Sequence, residues 1–174
     1  MAGTRGERAW VRRAQAGSAS DLEALFRTHW SSAYRAAYLV VHDGAAAEDI
    51  AQEAFLAAIR ALDRFDRRRP FGPWLHRIVV NRAIDVARAR ALRAEVGVDA
   101  VGDVGATTAP ADVSEEMLAR LAALSPEHRA VIVLRYLLEY TPGEIAEVLD
   151  VPRGTVNSRL RRALDHLREK LADD

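Results

Sequence analysis

Between positions 153 and 162 the chain places Arg153, Arg159, Arg161 and Arg162 around Thr155 and Ser158, with no acid among them. Guanidinium groups hold phosphates in defined geometry, and short hydroxyl side chains near a helix start can reach base edges, so the pattern fits duplex DNA. A second set begins upstream, where Arg64, Arg67, Arg68 and Arg69 interleave with Phe65, Phe71 and Trp74 and are followed by Arg77, Asn81, Asp85 and Arg88. Basic groups track a phosphate chain and aromatic rings stack on unpaired bases, a mixture suited to single-stranded nucleic acid. Most of these rings are nevertheless expected to fill the core, as aromatics in small bundles do. A third set, Asp49, Gln52, Glu53, Leu56 and Arg60, falls on one helix face. A leucine framed by acids and an amide suits docking on another protein, although one exposed leucine is also ordinary.

Other chemistry is sparse. There is no cysteine among the 174 residues, which excludes disulfides, thiolate metal sites and cysteine nucleophiles. His29, His42, His76, His128 and His166 show no metal-ligand spacing, and His42-Asp43 alone is a weak echo of a hydrolase pair. Neither a catalytic residue, a metal nor a cofactor is expected. The apolar runs Ala36 to Val41 and Ala130 to Leu134 are too short to span a bilayer. The start, MAGTRGERAW, lacks an apolar signal core, so a cytoplasmic protein without membrane insertion is expected.

The elements that must position these residues are helical throughout, with almost no alternating strand pattern. Ser20 to Glu23 reads as a capping box opening a first helix, which His42-Asp43-Gly44 breaks. A second helix is expected from about Ala47 to Leu62, then a basic loop from Asp63 to Gly72, then a third helix from Pro73 to about Arg90. On that third helix Arg77, Asn81, Ile84 and Arg88 are expected to face outward. Residues 91 to 112 hold three glycines, a proline and four acids against one arginine, which reads as a flexible acidic linker. Helical pattern resumes at Met117, continues from Pro126 through Leu138, and restarts at a Thr141-Pro142-Gly143-Glu144 capping box. A short helix, the turn Asp150-Val151-Pro152 and a longer helix with an apolar stripe from Val156 to Leu171 make a helix-turn-helix. The fold class is therefore all-α, with two small helical domains, 20–90 and 113–171, joined by the linker 91–112.

The order of these segments resembles the extracytoplasmic-function sigma factors of the sigma-70 family. Asp49, Gln52 and Glu53 match a D-x-x-Q-E signature, Asn81 and Asp85 an N-x-x-x-D pattern, and Gly154 to Arg159 a G-T-V-x-S-R recognition helix. The resemblance implies a transcription initiation factor that binds core RNA polymerase and directs it to promoters. It implies that Asp49, Gln52, Glu53, Leu56 and Arg60 dock on the β′ clamp helices, with the β subunit a further contact. It also implies that region 2, through Arg64, Arg67, Arg68, Arg69, Phe71, Trp74, Arg77, Asn81, Asp85 and Arg88, opens the −10 element and holds its single strand. Region 4, through Arg153, Thr155, Ser158, Arg159, Arg161 and Arg162, would read the −35 duplex. An anti-sigma factor is an expected further partner. Asp150 stands where the family's turn commonly has glycine, and Asp accepts the left-handed conformation at modest cost. Two alternatives remain at this point: another helix-turn-helix regulator, which leaves the N-terminal motifs unexplained, and a helical adaptor with basic faces.

Charge sharpens the picture. The chain has 25 basic and 25 acidic side chains, a total that by itself argues against nucleic acid. Along the chain, Arg60 to Arg90 sums to +6 and residues 153–162 to +4, while the Asp21–Glu53 segment is −4. Neutrality is a sum of basic patches and acidic surfaces.

Overall fold

The computed structural model describes residues 4–96 and 113–172. Eight α-helices fill them: α1 (Thr4–Gln15), α2 (Ala19–Val41), α3 (Gly44–Ala61), α4 (Phe71–Glu95), α5 (Glu115–Ala122), α6 (Pro126–Ile132), α7 (Pro142–Leu149) and α8 (Arg153–Ala172). A single 3₁₀ turn, Leu62–Arg64, follows α3, and a π-helical stretch, Val133–Leu137, continues α6. No strand occurs among the described residues. Most of the proposed linker, residues 97–112, lies outside them.

Helices α2, α3 and α4 form the N-terminal bundle. Alanines line their contacts: Ala33, Ala36, Ala37, Ala47, Ala51, Ala54, Ala58 and Ala83 are all essentially sealed from solvent. Such small side chains let helix axes approach at the short end of the usual packing distance, and Leu25, Val40, Leu75, Val79 and Val80 fill the remaining space. Polar signals set the element ends. His42 adopts φ 56° and ψ 36°, and its N–H returns to the Tyr38 carbonyl, which stops α2; Asp43 then caps α3 by accepting from Ala46 N–H at 2.9 Å.

Three sequence expectations change here. Helix α1 carries no expected boundary signal, yet it packs on α2 through Val11, the Arg13–Asp21 ion pair at 2.5 Å and the Glu7–His29 contact at 2.6 Å. Gln15 also donates to the carbonyls of Leu62 (2.8 Å) and Phe65 (3.0 Å), tying α1 to the basic loop. The start of α2 moves from Ser20 to Ser18: Gly17, at φ 94°, turns the chain so sharply that the next helix begins at Ala19, and the Ser18 hydroxyl accepts Asp21 N–H. Finally, α4 is longer at both ends than Pro73–Arg90. It starts at Phe71 because Pro70 leaves the chain extended, and it continues to Glu95 across positions assigned to the linker.

The C-terminal unit has a smaller core of Leu121, Leu124, Val131, Leu134, Ile145, Val148, Val156 and Ala163. The Thr141 capping box forms as expected, with Thr141 N–H donating to the Glu144 carboxylate at 2.8 Å and Glu144 N–H to the Thr141 hydroxyl at 3.3 Å. Asp150 closes α7 in the left-handed region at φ 53° and ψ 48°, so the turn keeps its shape without glycine. This unit does not stand apart: α6 and α7 pack on α4, and α6 with its π-helical continuation packs on α2.

Candidate functional site

Three surfaces carry the residues singled out by type and spacing. On α3, Asp49, Gln52, Glu53, Leu56 and Arg60 are all exposed, as their spacing requires, and Leu56 is 51% accessible. Beside it stand two further large apolar residues. Ile59 is 42% exposed and Phe26, on α2, is 40% exposed. Phe26 stacks on Trp30 at 4.9 Å and leans on Phe55 at 4.8 Å, so an apolar shelf borders the acidic face. Ile59 lies one turn beyond Leu56, and that spacing was the available signal. A shelf of large apolar side chains rimmed by polar ones is the composition of a protein contact.

The basic loop and α4 form the second surface. Arg64, Arg67, Arg68 and Arg69 are exposed, as are Arg77, Asp85 and Arg88. Asp66 accepts from both the backbone N–H and the guanidinium of Arg68, which hold its carboxyl below the usual range and brace the loop. Phe71 departs from its expected role. It is 3% exposed, packed edge-on to Phe65 and tilted against His29, so it anchors the loop in the core and offers no face to a base. Trp74 is half-buried, 4.5 Å from the Phe65 ring, with one side on a cleft of about 210 Å³.

The outward face of α4 is also changed by its neighbours. Ile84 is only 5% exposed, and Asn81 is half-buried with its amide donating to the Val148 carbonyl at 3.0 Å. Arg88 pairs with Glu127 at 2.5 Å. The periodicity of α4 marks this face as polar, but α6 and α7 lie against it.

The third surface is the helix-turn-helix. Val156 and Ala163 seal the back of α8, with Leu160, Leu164 and Leu167 partly buried beside them. Arg153, Arg161 and Arg162 are exposed; Thr155, Ser158 and Arg159 are half-buried. The Ser158 hydroxyl donates to the Thr155 carbonyl at 2.9 Å, leaving its oxygen lone pairs as acceptors. A Cβ built on Gly154 would meet no atom of the chain within 4 Å, so internal packing does not demand glycine there. Among the described residues, no group of three or more His, Cys, Asp or Glu side chains could hold a metal, and no helix is long and apolar enough to cross a membrane.

Comparison with known proteins matches two segments of the chain to one family. Residues 25–93 match the family model for Sigma-70 region 2, and residues 120–169 match that for Sigma-70, region 4. The chain is similar to the ECF RNA polymerase sigma factor SigW of Bacillus subtilis, 35% identical over 80% of this chain and 83% of the relative. It is likewise similar to the ECF RNA polymerase sigma factor SigL of Mycobacterium tuberculosis, 33% identical over 92% of this chain and 94% of that one. Among solved structures, it resembles CnrH in complex with the cytosolic domain of CnrY, with a TM-score of 0.74, 29% identity and coverage of 97% and 99% of the two chains. The sigma factor RpoE in complex with the anti-sigma factor NepR from Bartonella quintana shares the fold, with a TM-score of 0.68 at 21% identity over 88% and 98% of the chains.

Proposed function

Because the chain belongs to the extracytoplasmic-function sigma factors of the sigma-70 family, and so serves promoter-directed transcription initiation with RNA polymerase, we propose a division of that work among its three surfaces. Region 2, residues 20–90 together with α1 and the end of α4, docks on core polymerase through Asp49, Gln52, Glu53, Leu56 and Arg60, and the Phe26–Ile59 shelf widens that contact. The β′ clamp helices are the assigned partner. The exposed arginines of the basic loop, with Trp74, Arg77, Asn81, Asp85 and Arg88, hold the opened −10 strand, while Phe71 keeps the loop in place. Region 4, residues 113–171, presents Arg153, Thr155, Ser158, Arg159, Arg161 and Arg162 to the −35 duplex. The linker connects them. The protein acts where the polymerase does, in the cytoplasm.

The observation that carries this reading is the sorting of α8: an apolar back seated on α6 and α7, and an arginine face without one acid between 153 and 162. A helix so anchored enters a major groove with its N-terminal side chains toward the bases and its arginines on phosphates. Opening the −10 element costs base stacking, about 1.4 kcal/mol per step. Stacking a released base on an aromatic side chain recovers about 1–3 kcal/mol, and Trp74 is the ring with an accessible face. An anti-sigma factor is the further partner we assign, covering one of these faces; the similar CnrH was solved with the cytosolic domain of a second protein, CnrY.

Run-off transcription with purified core polymerase on promoters mapped by RNA 5′-end sequencing tests the proposal. A gel shift with and without core enzyme separates it from a free-standing repressor. Duplex binding as tight without polymerase as with it, and no run-off product, would overturn it.

A further inference from the structure

Helix α1 precedes residues 25–93, the segment matched to region 2, and carries none of the motif residues. Its inward side nevertheless grips the basic loop at both ends. At the start of the loop, the half-buried Gln15 donates its amide nitrogen to the carbonyls of Leu62 (2.8 Å) and Phe65 (3.0 Å), 47 and 50 positions away. These two carbonyls bracket the 3₁₀ turn, which Phe65 N–H closes on Leu62 at 3.0 Å. Carbonyls only accept, so the amide must present its NH₂ end, and both of its protons are used. At the far end, His29 Nε2–H donates to the Glu7 carboxylate at 2.6 Å, and the His29 ring lies 5.4 Å from that of Phe71. A Cβ built on Gly72 would stand 3.0 Å from His29 Cε1, so a ring held by Glu7 sets how closely the first turn of α4 can approach.

Between these grips the loop is shaped locally. Asp66 accepts from Arg68, and Arg69 N–H returns to the Asp66 carbonyl at 2.9 Å. Such contacts span three residues at most, so they form a turn without fixing where it sits on the bundle. Its place is set by Phe65, whose ring is 7% exposed and packs between Phe71 and Trp74, and whose carbonyl is held by Gln15. Trp74, the ring with an accessible face, lies 4.5 Å from Phe65. Arg64 and Arg67 flank Phe65 along the chain. A shift of the Phe65 backbone therefore moves the stacking platform and the neighbouring arginines together.

We propose that Gln15 is a positioning residue for capture of the −10 strand: through the Leu62 and Phe65 carbonyls it holds the basic loop and the Trp74 face in the geometry that receives unpaired bases, with Glu7 on His29 as the brace at the other end. The proposal rests on the assignment of this loop and Trp74 to the −10 strand. Gln15 itself touches no nucleic acid. It raises the fraction of molecules whose loop already stands in the binding geometry, and apparent affinity scales with that fraction. Loss of its two neutral hydrogen bonds lowers affinity by about fivefold or more.

The loop carries its own reporter, because trypsin cuts after arginine and Arg64, Arg67 and Arg68 are exposed. Gln15→Met keeps the length of the side chain and removes both donors. In the full-length free protein it is expected to speed cleavage after these three arginines about fivefold, with cleavage after Arg161 and Arg162 of α8 unchanged. No acceleration, or equal acceleration at all five sites, would overturn the proposal. In holoenzyme reconstituted with core polymerase, Gln15→Met is expected to bind a labelled single strand carrying a mapped −10 element about fivefold more weakly at unchanged core affinity. Gln15→Glu, which turns an acceptor toward two carbonyls, should bind it more weakly still. In a Trp74→Ala background the effect of Gln15→Met should shrink to about twofold, the remainder acting through the arginines. An undiminished fivefold effect there would overturn positioning of Trp74 by Gln15. Equal strand binding by wild type and Trp74→Ala would remove the −10 assignment and the proposal with it, whereas a Trp74→Ala defect without a Gln15→Met defect overturns the proposal alone.

Discussion

The phenol of Tyr140 lies 2.7 Å from Nδ1 of His76, across 64 positions of sequence and across the contact between the two helical units. His76 is 5% exposed, on the inner side of α4, while Tyr140 follows the left-handed Glu139, two residues past the π-helical stretch. Burial, reinforced by His29, pushes the His76 imidazole down to about 4, and burial raises the Tyr140 phenol. Both groups are thus held in the neutral forms that their hydrogen bond requires. Several consequences can be measured.

Acid should destabilise the fold through His76. Between pH 6.5 and about 4 the unfolded chain binds a proton that folded His76 refuses, so this contribution is complete above 6.5 and is lost as pH falls toward 4. The largest loss is about 3 kcal/mol. Glu7 and His29 face the same pocket, so the comparison must be with His76→Gln, whose urea-unfolding stability should fall less steeply across that window. Parallel pH curves for wild type and variant would refute the assignment.

Arg162→Ala should weaken transcription from promoters that depend on the −35 element while leaving core-polymerase binding unchanged. If Arg162 neutralises one phosphate, the salt dependence of promoter binding should become shallower by about 0.9 in log–log slope. Arg162 is exposed, so the fold should be unaffected within about 0.5 kcal/mol. Pull-down of core enzyme at reduced yield by this variant would argue against the separation of surfaces.

Leu56→Asp and Ile59→Asp should do the opposite. Both side chains are exposed, and an added acid on a shelf bound by polymerase must be desolvated without a partner. Binding to core polymerase is expected to fall by about 2 kcal/mol or more, roughly thirtyfold, with duplex −35 contacts by region 4 preserved. Unchanged affinity in a titration with labelled core would move the docking site elsewhere.

Gly154→Ala should separate stability from recognition. With open space where a Cβ would stand, alanine in the first turn of α8 is expected to raise stability by up to about 1 kcal/mol. If the DNA backbone approaches α8 at this point, the same methyl group should lower −35-dependent transcription. A variant that melts higher and transcribes as well as the wild type would show that glycine is dispensable there.

The features legible from residue order alone are local. The Thr141-Pro142-Gly143-Glu144 cap, the His42-Asp43-Gly44 break, the left-handed Asp150 and the exposed arginines of α8 each depend on contacts within a turn or two, where residue type fixes the outcome. The charge-sorted helices and the family motifs carried by Asp49, Gln52, Glu53, Asn81 and Asp85 were legible for the same reason. Contacts between residues distant in sequence were not legible in this way. Helix α1 has no boundary signal of its own and is held by Asp21, His29, Leu62 and Phe65. Phe71 carries the ring a base-stacking site needs, yet its burial beside Phe65 and Trp74 makes it an anchor. Periodicity marks Asn81 and Ile84 as outward because it sees one helix at a time; α6 and α7 cover them because a second unit with its own apolar and acidic face folds against that side. A helix face is written in sequence, but whether that face meets solvent, DNA or the rest of the same chain depends on free energies summed between elements, and those exist only once the chain has folded.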